Sequence, residues 1–184
     1  GTSAAVATAR STPASDIESS GSTVASAGGG TTSTSERFGG EQRAVIAAYE
    51  RAMGAYQSAA SASKPFDPTF KDAFTPNALR ELQIRIQQRS SSGQAVRDAQ
   101  PSHARVAYIA VTVDASSATL TTCEVDDRVV YRTADGSVVN DHVSTARWTV
   151  TMTATDGTWR IDNRQQDRTW DGEEMDACLA DQQS

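Results

Sequence analysis

The chain has little of what most enzymes use for chemistry: 2 histidines and 2 cysteines in 184 residues, and no strong catalytic motif. No run approaches the roughly 18 apolar residues that a bilayer-spanning helix needs. No positively charged, apolar leader opens it either, so any export signal is expected to have been removed. Lysine is nearly absent, with Lys64 and Lys71 the only two among 17 basic residues. A net charge of -6, a pI near 4.9 and scattered arginines argue against a nucleic-acid or anionic-membrane surface, because both need clustered positive charge to displace counterions. At 38% hydrophobic residues the chain can build one modest core, which sets the expectation of one domain.

Ser, Thr, Gly and Ala supply 30 of the first 40 residues, and Phe38 is the only aromatic among them. Such a stretch cannot bury enough apolar area to offset its backbone entropy, so residues 1–40 read as a disordered linker and 41–184 as the domain. As a Gly/Ser-type coil the linker would reach about 35 Å. That suits a domain held off a membrane; an incidental tail is the other reading.

From Glu41 to about Ser61, Val45, Tyr49, Ala52 and Tyr56 recur at helical spacing, with Ile46 and Met53 widening the stripe. Lys64-Pro65 marks the stop. Phe66 to Phe74 reads as a turn carrying three phenylalanines for the core. Thr75-Pro76 then supplies an N-cap and a first-turn proline for a second helix that buries Leu79, Leu82 and Ile86.

Beyond Gly93 the period changes to two. Strands are expected at Arg105 to Asp114, Ala118 to Val125, Arg128 to Thr133 and Thr145 to Thr155, and Asp135-Gly136 and Asp156-Gly157 read as hairpin turns. A two-residue loop at Asp156-Gly157 sets Ala154 opposite Trp159, Met152 opposite Ile161, Val150 opposite Asn163 and Trp148 opposite Gln165. The face so formed starts apolar, with Trp148, Met152, Trp159 and Ile161 closed by Tyr49 and Tyr56 of the first helix, and turns polar. Asn163 and Gln165 either stand in water at the sheet end or line a cavity mouth.

Cys123 and Cys178 bracket this strand-rich part. Joined, they would close a loop of about 55 residues, worth roughly 4 kcal/mol on the chain-entropy model, and would pin the tail after Trp170 onto the sheet. Two reduced buried thiols and metal ligation are the competing readings, although the paired spacing of a zinc site is missing. Export to an oxidising compartment is the simplest account.

Helices followed by a curved antiparallel meander are the order of a cone-shaped α+β roll. In Asp67-Pro68, the run from Ala118 to Asp127 through Cys123, the hairpin Asp156-Gly157-Thr158-Trp159-Arg160-Ile161, and Cys178, the chain resembles the nuclear transport factor 2-like (cystatin-like) superfamily. That superfamily includes polyketide cyclases, ketosteroid isomerase and many non-catalytic domains. Within it, the chain looks most like uncharacterised exported lipoproteins of actinobacteria. The resemblance covers about residues 41–178 and implies a ligand-sized pocket with no established activity.

Candidate chemistry is thin. His103 and His142 lie in polar connections, where solvation is the ordinary state. Tyr108, Thr112 and Asp114 share a strand face on strict alternation, and could supply a carboxylate base with hydrogen-bond donors; a core tyrosine and a strand-end aspartate is the plainer account. Asp126-Asp127 and the acidic run Asp171 to Asp176 lack the ligand alternation of a calcium loop and read as solvated turns. No cofactor, metal or catalytic residue is assigned. The pocket lining is drawn from Tyr49, Tyr56, Tyr108, Trp148, Met152, Trp159, Ile161, Asn163 and Gln165.

The expected function is thus a non-catalytic binding or accessory module of the cell envelope, secreted or lipid-anchored, taking a small hydrophobic ligand or an envelope protein. An isomerase, dehydratase or cyclase working in the cone, and a scaffold subunit of a secretion or transport complex, are the alternatives. No nucleic acid is expected, membrane association only through the N-terminal tether, and a monomer or a homodimer through the sheet. An open cavity holding a carboxylate favours the enzyme; a filled cone favours the scaffold. Limited proteolysis should trim the chain to a stable core beginning between about Arg37 and Arg43. Survival of the Ser/Thr-rich stretch under conditions that cut a control linker would count against a flexible tether.

Overall fold

A computed structural model describes residues 37–181. The expected linker lies outside the described residues as far as position 36. Its last four positions belong to the domain: Phe38 is buried, and the Arg37 guanidinium donates to the carbonyl of Ile109 at 2.9 Å.

Helix α1 spans Gly40–Ser61 and buries Val45, Tyr49, Ala52 and Tyr56, the stripe its periodicity predicts. At its start the Gln42 side chain accepts from the Gly39 N–H and donates to the Val111 carbonyl, tying the helix to a strand edge. A 3-10 turn, Pro68–Asp72, is capped by Asp67, whose carboxylate accepts from the Thr69 N–H. Of the three phenylalanines, Phe70 and Phe74 meet edge-to-face in the core, whereas Phe66 is 71% exposed. It precedes the turn, where nothing packs over it. Helix α2, Pro76–Ser91, begins at Thr75 as expected, but the Thr75 hydroxyl does not cap it. It donates instead to Asp162, across the molecule.

Strands β2 (Arg105–Asp114), β3 (Ser117–Asp126), β6 (Ser144–Thr155) and β7 (Thr158–Asp171) form one antiparallel sheet in the order β2-β3-β6-β7. A smaller sheet joins β1 (Gln94–Arg97), β4 (Val129–Arg132) and β5 (Val138–Asn140). Sequence alternation missed β1 and β5, which are too short to show it. Helices α1 and α2 cover one face of the large sheet, so the domain is an α+β roll. Its core joins Val45, Tyr49 and Ala52 to Leu120, Val150, Met152 and Ile161.

Three bulges adjust this sheet. In β2 the pairing skips Ile109, so Tyr108 packs toward the main core, while Thr112 and Asp114 are exposed. The bulge thus separates the three residues that strict alternation had grouped. In β7 the pairing skips Asp162 and Asp167. The Asp156-Gly157 register holds as far as Met152 opposite Ile161, after which Val150 faces Arg164 and Trp148 faces Gln166. Asn163 and Gln165 therefore pair with Thr151 and Thr149 on the other face, correcting the expected register.

The first β7 bulge has a local cause. Ile161 is already engaged by the segment before α2, donating to the Ala73 carbonyl and accepting from the Thr75 N–H, both at 2.9 Å. Asp162, held by the Thr75 hydroxyl, is displaced from the ladder.

On the opposite face Cys123 and Cys178 form a disulfide with Cα atoms 6.0 Å apart, buried beside Ile109 and flanked by Trp170, Met175 and Leu179. The acidic tail is not wholly irregular: Met175–Ala180 is a short helix, α3. The buried Thr145 hydroxyl donates to the Gly172 carbonyl and accepts from the Glu174 N–H, and Asp181 pairs with Arg147 and Arg168.

Met152 and Thr151 sit on opposite faces, which provides a direct check. Met152→Ala should cost about 2 to 5 kcal/mol and Thr151→Ala no more than about 0.5. Trp159 is only half-buried, so it is the weaker probe. Equal costs in urea denaturation would mean that the faces are exchanged.

Candidate functional site

Between α1, α2 and the inner face of the large sheet lies a cavity of about 1070 Å³. Met53, Phe74, Leu82, Trp148 and Ile161 give it an apolar wall, while Glu124, Asp126, Arg128 and Arg164 line its sheet side. Of the residues named from sequence, Tyr56, Trp148 and Ile161 lie on its wall, and Asn163 borders it beside the bulge at Asp162 although it pairs with the outward Thr151. Tyr49, Tyr108, Met152, Trp159 and Gln165 do not. Met152 is buried in the core below it, Tyr49 and Tyr108 stand edge-to-face behind Glu124, and Gln165 is turned away by the bulge.

The polar part follows from strand parity on β3. Leu120 and Thr122 are fully buried, and the alternation they begin continues through Glu124 and Asp126 on the same face. Two carboxylates thus enter the cavity from one strand, and each is met by an arginine. Arg164 pairs with Glu124, with side chains 21% and 12% exposed, and its guanidinium lies 3.5 Å from the centre of the Trp148 ring. Glu124 also accepts from the Tyr49 and Thr122 hydroxyls. Arg128 grips Asp126 through Nε at 2.8 Å and Nη2 at 2.6 Å and lies over the Tyr56 ring, while its Nη1 is buried without a hydrogen-bond partner.

Burial raises the Tyr49 hydroxyl well above its ordinary range, with Arg164 opposing. Burial, then the hydrogen bond to Glu50, does the same to Tyr108. Neither phenol ionises near neutrality. Burial also disfavours the charge on Asp126, but the hydrogen bonds and charge of Arg128 outweigh it and hold that carboxyl below the usual range.

The remaining titratable candidates have structural partners. His103 and His142 are both more than half exposed and meet Glu173 and Asp171 at 2.9 and 2.8 Å. Asp127 is no solvated turn: it is buried and accepts from the Ser102 hydroxyl and the His103 and Ala104 N–H groups, closing the loop into β2. Asp126, its neighbour, is half of an ion pair rather than a free turn carboxylate. Among the described residues, no group of three or more His, Cys, Asp and Glu side chains is placed to hold a metal ion.

Sequence reading missed Glu124, Asp126, Arg128 and Arg164 as site residues. The first two were legible, since both fall on the Leu120 face by simple alternation. Arg164 was not, because only the bulge at Asp162 turns it inward.

No family model matches the chain, and no curated protein does. Among solved structures it is similar to the intermembrane space region of the chloroplast protein ARC6, at 14% identity over 67% of this chain and 95% of that one, with a TM-score of 0.49. It is also similar to the Kfla4162 protein from Kribbella flavida, at 14% identity over 75% and 97%, TM-score 0.46. A third is an NTF2-like protein with a cystatin-like fold from Novosphingobium aromaticivorans, at 22% identity over 76% and 89%, TM-score 0.39.

The Asp126–Arg128 pair has a signature in acid. Because the folded state holds the Asp126 carboxyl below its unfolded value, its contribution is fully present above the ordinary carboxylate range and is lost as pH falls through the folded value. Asp126→Asn should therefore be less stable than the parent at pH 7, with the gap closing between about pH 5 and 3. A gap in urea midpoint that does not change with pH would rule out this pairing as the source.

Proposed function

We propose that the chain is a non-catalytic, small-molecule-binding domain that works outside the cytoplasm, tethered to the cell envelope through its N-terminal stretch. The observation that carries the binding reading is an open cavity whose two carboxylates on β3 are already committed. Glu124 accepts from Arg164, Tyr49 and Thr122, and Asp126 from Arg128 twice, so neither is free to take a proton from a substrate. That commitment weighs against the enzyme alternative, although carboxylates do line the space. The volume of about 1070 Å³ weighs against a purely scaffolding role, which needs no such opening.

The disulfide supports the location. Cys123 and Cys178 are both fully buried and joined, a state kept in oxidising compartments and rare in the cytosol. A lipid anchor and kinship with exported actinobacterial lipoproteins extend the same reading to the tether.

The test is saturable binding of a neutral apolar dye such as Nile red to the full chain. One site is expected, weakened at least tenfold by Leu82→Arg, which fills the cavity from α2 with a charge, and unaffected by Thr151→Ala on the other face. Absence of saturable binding, or equal binding by Leu82→Arg, would overturn the assignment of the cavity.

A further inference from the structure

Helix α2 lies over the cavity with Ile86 its only buried residue, while Ala78, Leu79 and Leu82 pack half-buried against the core. Of its residues that border the cavity, Ala78, Leu82, Arg85 and Arg89, spaced four, three and four apart, form one stripe, with Asn77, Glu81 and Gln88 beside it. The stripe is apolar in its first half and cationic in its second. Three other arginines on the wall are engaged: Arg164 with Glu124, Arg128 with Asp126 and Arg105 with Glu173. Arg85 and Arg89 have no hydrogen bond, ion pair or ring contact with any described residue. Arg89 is half-buried and Arg85 is exposed at the rim, so both guanidinium heads are open to an incoming acceptor.

The acids of the wall do not answer them. Glu124, Asp126 and Asp162 are held by Arg164, Arg128 and Thr75, and Glu81 and Asp98 are exposed and make no ion pair with any described residue. The geometry points to an amphiphilic anion as the ligand: a carboxylate head received by Arg85 and Arg89, and an apolar body laid against Leu82, Met53, Phe74 and Trp148. This rests on the reading of the cavity as a small-molecule site. A guanidinium fork matches a carboxylate with parallel N–H donors, and two forks one helical turn apart can share one head. A neutral body of the same length would fill the apolar wall and leave both arginines without an acceptor.

Calorimetric titration of the full chain with dodecanoate, dodecanol and dodecyltrimethylammonium, each below its micelle concentration, separates the possibilities. Dodecanoate is expected to bind roughly tenfold or more tightly than the other two, as charge-assisted hydrogen bonds to the head would give. The double variant Arg85→Gln/Arg89→Gln keeps good helix formers and leaves the buried Ile86 in place, so its melting temperature should hold. It should lose the preference for dodecanoate while binding dodecanol as before. If dodecanol binds as tightly as dodecanoate and the double variant changes neither, the cavity stands as an apolar site and the anion assignment falls. If none of the three binds saturably, the cavity reading and the anion assignment fall together.

Discussion

The cavity depends on one ion pair, Arg164 with Glu124, set into the inner face of the sheet. A carboxylate at Glu124 is forced by the alternation that also buries Leu120 and Thr122. Taking it out of water costs several kcal/mol unless a cation and further donors meet it. Arg164 supplies the cation, Tyr49 and Thr122 supply the donors, and the Trp148 ring covers the guanidinium. A buried pair of this kind is weak evidence for stability in itself, because well-packed apolar residues could do as well. What it does here is keep the space beside it polar and open, since the helices cannot close down on charges that still need hydration at their outer side.

The pair in turn depends on backbone events elsewhere. Thr75 could have capped α2 but spends its hydroxyl on Asp162, and its N–H holds the Ile161 carbonyl. That engagement displaces Asp162 from the ladder and turns Asn163 to Gln166 to the opposite face, until the second bulge at Asp167 restores the alternation. Arg164 reaches the cavity only through that shift. The disulfide and the short helix α3 act on the other face, where Cys123 neighbours Glu124 in sequence but points away from it. The two faces of β3 thus divide the work: one is closed covalently, the other is kept open by charge.

Much of this was legible in the sequence. The α1 stripe from Val45 to Tyr56, the turn at Asp156-Gly157 and the strand from Arg105 to Asp114 all follow from period and turn chemistry, and the two cysteines are joined. What was hidden depends on long-range contacts. No local signal marks Ile109, Asp162 or Asp167 as bulges, because a bulge is imposed by a partner: the Arg37 guanidinium takes the Ile109 carbonyl, and the segment from Ala73 to Thr75 takes Ile161. The three-residue β5 and four-residue β1 are shorter than any periodicity can register. Asp127 looked like half of a solvated acidic turn, and only the fold brings Ser102 to Ala104 to its oxygens.

A double-mutant cycle on Arg164 and Glu124, read by urea unfolding at neutral pH, tests this account most directly. Arg164→Met should cost about 3 to 5 kcal/mol, since it leaves a buried carboxylate without its cation. Glu124→Gln added to it should recover much of that loss, giving a coupling of about 1 to 3 kcal/mol. Single costs that simply add, with no coupling, would mean that the two side chains do not meet, and that the bulge at Asp162 does not turn Arg164 into the cavity.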